Sequence, residues 1–395
     1  MSLADRWLLP DGIAEILPAQ AENIELLRRD LLNLYHRWGY DLVIPPVLEF
    51  TESLLTGLGS DLDLMTFKVT DQISGRTMGL RADITPQTAR MDAHSFKRQG
   101  ANRLCYAGHV VHTKPKSPLA TRTPIQAGVE LYGEADLSAD IEVVSLLLES
   151  LSLAGVEQLN IDLGHVGIFR ALAQATGLDQ VQELALFELL QQKATSDIDQ
   201  WVSGQIAQPD FAALIRALPK MCGGIDVLEQ ARAELSKFVP EALHAVDELS
   251  NLARVIGERY PKANLYFDLS ELRGYHYHTG VVFAAFAPGF GDAIANGGRY
   301  DHIGEVFGRA RPATGFAVDL GALNRLAARP SASGGGILAP EPTDAAGWAA
   351  VQALRTQGER VVCTLSEASL VRDELHCDRE LVCENGQYLV KPICK

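Results

Sequence analysis

Two stretches of this chain concentrate groups suited to gripping a small molecule. Leu272-Arg273-Gly274-Tyr275-His276-Tyr277-His278-Thr279-Gly280 sets an arginine, two glycines and a run of aromatic and imidazole rings side by side. Asn296-Gly297-Gly298-Arg299-Tyr300-Asp301 adds paired glycines, an arginine, a tyrosine and an aspartate. Glycine lets backbone approach a ligand closely, and arginine fixes a carboxylate or phosphate in a fork. Gly315-Phe316-Ala317-Val318-Asp319-Leu320-Gly321-Ala322-Leu323 follows, with no acidic–basic pair at Gly321-Ala322. There is no glycine-rich phosphate loop ending in Lys-Ser/Thr and no nucleophile–base signature. The chain reads as carrying a binding site without groups to do chemistry in it, and no cofactor is expected.

The 395 residues allow two or three domains. The formal charge of −15 disfavours nucleic-acid binding by the surface as a whole, because such affinity rests on Lys and Arg neutralising phosphates. No apolar run approaches the ~18 residues of a membrane helix. No basic-then-apolar leader opens the chain, and a cytoplasmic protein is expected. The six cysteines are scattered, unlike a disulfide framework. His376, Cys377, Cys383 and Cys394 match no zinc spacing, so no metal is expected. His109, His112, Lys114, Lys116 and Arg122 gather positive charge in one loop of an acidic chain. Such a loop either faces a phosphorylated ligand or an acidic patch on a partner, or is simply solvated.

The elements that must position these groups are legible in outline. Ile24, Leu27, Leu31, Leu34, Tyr35 and Trp38 recur at helical spacing, ending at Gly39. Asp41 to Glu49 meets Pro45-Pro46 and predicts an edge or interface strand. Phe67–Asp71 and Thr77–Arg81 predict a hairpin, Thr85–Gln99 a helix, and Arg103–His112 with Thr123–Tyr132 antiparallel strands. Ser138 is expected to cap a helix that ends at Gly155. Leu159–Leu163, Asn264–Leu269 and Val281–Phe286 predict strands. From Val166 to about Tyr260 the periods are helical, as in an inserted helical subdomain. Pro330 to Gly336 reads as a linker. The roughly 60 residues beyond it are few for an independent domain and are expected to dock on the main body.

The order of motifs is similar to the class II aminoacyl-tRNA synthetase core of the histidyl-tRNA synthetase type. The likeness rests on Val43-Ile44-Pro45-Pro46-Val47-Leu48-Glu49, Leu80-Arg81-Ala82-Asp83-Ile84-Thr85, Gln126-Ala127-Gly128-Val129-Glu130, the Leu272–Gly280 block, Gly297–Asp301 and Gly315-Phe316-Ala317. It covers residues 1 to about 330. It implies an α+β fold: an antiparallel sheet flanked by helices, with the helical insertion over about 166–260 and a small truncated α/β C-terminal domain over 331–395. It also implies self-association around Pro45 and Pro46. By the same resemblance the pocket grips histidine. Asp83 and Thr85 meet the amino group beside Gln126 and Glu130. Arg273 meets the carboxylate, and Tyr277, His278 and Tyr300 line the ring pocket. A zwitterionic amino acid does need an acceptor cluster and an arginine. The alternative is that Asp83 and Glu130 pair with internal basic groups. The family usually has glutamate at Asp83 and tyrosine at His278.

The departures bear on function. Amino-acid activation needs cations on the triphosphate as charge develops. His112 and Lys114 stand where the family has an arginine and a glutamate, and Gly321 and Ala322 where it has glutamate and arginine. Arg309, Arg311 and Arg325 are the nearby arginines that could substitute. This pattern resembles the regulatory subunits of ATP phosphoribosyltransferase, catalytically inactive relatives of histidyl-tRNA synthetase. That likeness implies a short catalytic subunit as partner in a hetero-octamer, no tRNA, and a part in feedback regulation by histidine. Whether histidine sits in this pocket or on the catalytic subunit stays open at this point. The rival readings are a working synthetase with a shortened C-terminus and a stand-alone histidine-binding module.

Overall fold

The computed structural model describes residues 7–55, 60–96, 98–117, 120–275, 277–326, 335–365 and 372–393. Met1–Arg6, His276, residues 330–334 of the linker and Cys394 lie outside them. The chain divides into two compact units, Met1–Ala328 and Arg329–Lys395.

In the first unit, helix α1 (Pro18–Arg37) starts on a proline suited to a first helical turn. It buries Ile24, Leu27, Leu31, Leu34 and Tyr35 and ends before Gly39 at φ +84°. Strand β1 (Asp41–Leu42) and strand β2 (Leu48–Phe50) flank Pro45-Pro46. Prolines give the ladder no N–H, and here side chains satisfy the carbonyls instead. Arg81 donates to Pro45 O at 2.8 Å and to His109 O at 2.8 Å, and Gln87 to Pro46 O at 2.7 Å. Short helices α2 (Thr51–Leu54) and α3 (Ser60–Met65) lead to β3 (Lys68–Thr70) and β4 (Thr77–Leu80), which form a three-stranded sheet in the order β2-β4-β3.

Helix α4 spans Thr85–Met91 and widens into a π turn over Asp92–Phe96, shorter than the helix expected to Gln99. Asp92 on that turn is buried and accepts from Arg311 at 2.9 Å and Asn102 at 2.8 Å. Strands β5 (Asn102–His109) and β6 (Ile125–Tyr132) follow, then α5 (Ser138–Leu153). Ser138 makes no side-chain cap; Asp136 Oδ1 accepts from Ser138 N at 2.8 Å. Strand β7 (Asn160–His165) enters six helices, α6 (Val166–Thr176), α7 (Gln180–Gln191), α8 (Thr195–Gln205), α9 (Pro209–Ala217), α10 (Asp226–Phe238) and α11 (Leu243–Arg259). The two-residue β8 (Cys222–Gly223) lies among them. His165 caps α6 by accepting from Gly167 N at 3.0 Å while its Nε2 meets Glu248 at 2.8 Å.

Strands β9 (Asn264–Asp268), β10 (Val281–Phe286), β11 (Ala295–Arg299) and β12 (Ala313–Asp319) and helix α12 (Leu320–Leu326) complete the unit. The nine-stranded sheet runs β1-β5-β6-β12-β11-β10-β7-β9-β8. From β5 to β7 it is antiparallel, with parallel pairs β1–β5 and β7–β9. The fold is thus the α+β class II type, with the insertion grafted between β7 and β9. Packed on the sheet, α1, α5 and the insertion bury one continuous core.

Arg299, expected beside the pocket, belongs to this core. Alternation along a strand sends neighbouring side chains to opposite faces, and Arg299 goes to the face of α5. There it donates to Asp140 Oδ2 at 2.9 and 2.6 Å and to the carbonyls of Glu134 and Asp136. Both partners are buried.

The second unit contains β13 (Gly336–Ala339), α13 (Ala345–Thr356), β14 (Val361–Cys363), β15 (Cys377–Glu384) and β16 (Gln387–Pro392) in the order β14-β13-β15-β16. Asn385 and Gly386 take φ of +51° and +80° in the β15–β16 turn, the backbone a two-residue hairpin favours. Ile337, Ala339, Val351, Val361 and Leu381 form its small core.

Removing one partner of a buried ion pair leaves the other charge uncompensated, at about 3–5 kcal/mol. Asp140→Ala is therefore expected to lower stability by about that amount in urea unfolding. A loss under about 1 kcal/mol would show that Arg299 finds water instead.

Candidate functional site

The site is built on a strip of sheet almost without side chains. Register aligns Leu104, Glu130, Gly315, Gly298, Val282 and Gly164 in one row across β5, β6, β12, β11, β10 and β7. A Cβ on Gly315 would stand 1.8 Å from Glu130 Oε2, and one on Gly298 would stand 2.9 Å from His278 Nε2. The row thus leaves room for a carboxylate and an imidazole to lie over the sheet. Above it is a cavity of about 480 Å³, a size ordinary for a small-molecule site.

Asp83, Thr85, Gln126, Glu130, Arg273, Tyr277, His278 and Tyr300 all line this cavity. Gln126 links two of its walls, donating to Asp83 Oδ1 at 2.9 Å and accepting from Ile84 N at 3.1 Å. Glu130 accepts from Thr85 Oγ1 at 2.7 Å, from the Tyr106 hydroxyl at 3.1 Å and from the Tyr300 hydroxyl. Among the described residues neither Asp83 nor Glu130 pairs with a Lys or Arg, the alternative the sequence left open. Burial raises the Glu130 carboxyl to about 8, opposed by its hydroxyl donors and reinforced by Asp83.

His278 is also buried. Burial lowers its pKa to about 4, against the bond from Nδ1 to Arg273 O at 2.8 Å. The ring is thus neutral with Nδ1 as donor, leaving Nε2 an acceptor on the cavity side. The Tyr277 ring lies tilted against His278, with centroids 4.2 Å apart, and meets Tyr300 edge-on at 6.4 Å. Arg273 is steered rather than buried. Its Nη2 lies 3.3 Å from Glu271 Oε2 and its Nη1 3.3 Å from Asn296 Oδ1, with 44% of the side chain exposed.

The five residues of the basic loop do not form one patch, and exposed His109 is not on the cavity. Lys116 lines the cavity, but Lys114 and Arg122 do not. Lys114 is exposed, and Arg122 spends its guanidinium on the carbonyls of His112 and Asp11, both at 3.1 Å. His112 is buried at the wall, with Nε2 on Ala82 O at 2.9 Å and Nδ1 without a partner. Burial, then Lys116, lowers its pKa. At the other wall Asp319 Oδ1 caps the opening turn of α12, accepting from Gly321 N at 2.8 Å and Ala322 N at 3.3 Å. Of the three possible substitute arginines, Arg311 is buried on Asp92 and Arg309 donates to Arg98 O. Only Arg325, exposed and over the Phe290 ring at 5.2 Å, lines the cavity.

Three residues of this site have no role in the sequence reading: Tyr106, Glu271 and Asn296, the last named there only within its glycine block. Strand alternation offers a signal for two of them, since Tyr106 faces Gly128 in register and Asn296 precedes Gly298 by one strand period.

Unfolded, the Glu130 carboxyl titrates near 4.5; folded, near 8. The folded state binds the extra proton between these values, so stability falls as pH rises through that window. Glu130→Gln stays neutral and should lose less stability than the native chain between about pH 5 and pH 8. Urea midpoints at both pH values test this, and parallel losses in the two proteins would rule out a buried proton on Glu130.

The geometry can be set beside known proteins. A family model for histidyl-tRNA synthetase matches residues 12–323, and one for the ATP phosphoribosyltransferase subunit HisZ C-terminal domain matches residues 334–391. The chain is 62% identical over 393 residues to the ATP phosphoribosyltransferase regulatory subunit of Cellvibrio japonicus (strain Ueda107), spanning 100% of this chain and 98% of that one. It is 53% identical to the protein of the same name from Pseudomonas aeruginosa (strain LESB58), over 100% of both. A crystal structure described as an ATP phosphoribosyltransferase regulatory subunit/histidyl-tRNA synthetase from Bacillus halodurans superposes with a TM-score of 0.81 at 27% identity, covering 93% of this chain and 95% of that one. Histidyl-tRNA synthetase from Nostoc sp. PCC 7120 shares the fold, with a TM-score of 0.78 at 16% identity over 98% of this chain and 97% of that one. The chain belongs to the family of ATP phosphoribosyltransferase regulatory subunits, on a histidyl-tRNA synthetase-like fold.

Proposed function

We propose that this chain is a non-catalytic subunit that assembles with the short ATP phosphoribosyltransferase catalytic subunit, supports the first step of histidine biosynthesis and helps transmit its feedback inhibition by histidine. The observation that carries this reading is the asymmetry of the cavity. One end keeps an acceptor cluster and an arginine; the other offers a buried neutral His112 and the uncharged Gly321-Ala322 turn. In this reading Asp83, Thr85 and Gln126 take the amino group of histidine, and Arg273 its carboxylate. Glu130, Tyr277, His278 and Tyr300 surround its ring. Regulation then requires histidine to bind one state of the complex better than another. If the catalytic subunit holds histidine instead, this chain acts as its allosteric scaffold.

The expected assembly is a cytoplasmic hetero-octamer without tRNA, its copies of this chain pairing through Val43–Glu49. Exposed Ile44, Val47 and Leu48 support that face, since clustered apolar surface is commonly an interface. Lys116 and Arg325 are the cations left for a phosphorylated ligand or an acidic partner surface.

Losing a single transition-state cation typically costs on the order of 10²–10³ in rate. Histidine-dependent ATP–pyrophosphate exchange is therefore expected at background, and robust turnover would sink this reading in favour of a working synthetase. Mixed with a short catalytic subunit at micromolar concentration, the chain should elute as one larger species by sizing with light scattering. Two separate peaks would favour a stand-alone binding module.

A further inference from the structure

The pocket loop is held from outside the cavity. Arg273 and His278 face the cavity, but Tyr275 between them leaves it. The Tyr275 ring is 7% exposed and lies between two helices of the insertion. It stacks on Phe187 of α7 with centroids 5.2 Å apart and meets Phe169 of α6 edge-on at 5.1 Å. Its hydroxyl donates to Glu183 of α7. From α6, Arg170 Nη2 donates to Tyr275 O at 3.1 Å and to His278 O at 2.8 Å.

Residues 166–260 contribute nothing to the cavity lining among the described residues. Yet the loop that carries three of its ligand-facing side chains hangs from α6 and α7. Close-packed elements do not deform continuously, so a shift of these helices moves Arg273 and His278 with them. We propose that Tyr275 is a positioning residue that couples α6 and α7 to the amino-acid pocket, so that ligand occupancy and the packing of the helical insertion are linked. This rests on the pocket holding histidine as proposed above. Linkage is reciprocal: helices that set the affinity are themselves steadied when the ligand binds.

The test uses the full chain, native and as Tyr275→Phe and Glu183→Gln, with calorimetric titration of L-histidine and hydrogen exchange with and without it. Native protein should bind, and histidine should slow exchange in α6 and α7. Tyr275→Phe keeps the ring stack and loses the hydroxyl with its contacts to Glu183 and Arg170. It should bind about 5-fold or more weakly and show less protection of α6 and α7 at saturating histidine. Glu183→Gln, at a partly exposed helix position, should change in the same direction with little effect on the melting temperature. Native binding without any change of exchange in α6 and α7 overturns the coupling and leaves the pocket reading standing. Native-like affinity and protection in both variants does the same. No binding heat from the native chain overturns the pocket reading, and the coupling with it.

Discussion

A carboxylate buried away from every cation is the constraint around which the first unit is arranged. Glu130 is 1% exposed, and hydroxyls rather than a guanidinium or ammonium meet it. Burying such a group is costly unless it is hydrogen-bonded or holds its proton. The three hydroxyls come from the start of α4, from β5 and from the end of β11, so these elements must keep one register relative to β6. Gly315 must also remain a glycine, because the carboxylate occupies the space of its side chain. The bare strip of sheet, the cavity above it and the polarity of that cavity all follow from accommodating this one group.

The same cavity is polar at both ends, but its two ends are built differently. Its acceptor end is rigid: Gln126 bridges to Asp83, His278 is locked to its own loop, and Arg273 is aimed by Glu271 and Asn296. At its other end several basic side chains are engaged by the fold, while Lys116 and Arg325 line the cavity. His112 hydrogen-bonds a backbone carbonyl, Arg122 does likewise, and Arg311 is spent on Asp92. Cations that might serve a polyphosphate serve the fold instead.

Much of this was legible in the sequence where physics is local. The helical period of α1, the long run of insertion helices and the order of motifs all reach the structure nearly unchanged. Most of the failures share a cause. Ser138 was read as a cap because serine suits that role, but Asp136 two residues earlier has the better geometry. Arg299 was grouped with its pocket neighbours, although alternation sends it to a core aspartate far away in sequence. The helix from Thr85 widens into a π turn at Asp92, which meets a distant arginine, and ends short of Gln99. The Ala295–Arg299 strand carries no strand signal of its own, because glycine weakens strands in isolation; here the sheet on both sides imposes the strand. Ser138 aside, each miss depends on a partner that only long-range contact brings near.

That register has a consequence in time. The cavity floor needs β12 inserted between β6 and β11, and β12 is the last strand of its unit to be made. Until residue 319 has left the ribosome, Glu130 has no floor to lie on and β6 has an open edge. Long-range pairing of this kind is slow and leaves partly folded chains prone to aggregation. The closed cavity floor is therefore the final feature this unit acquires during synthesis.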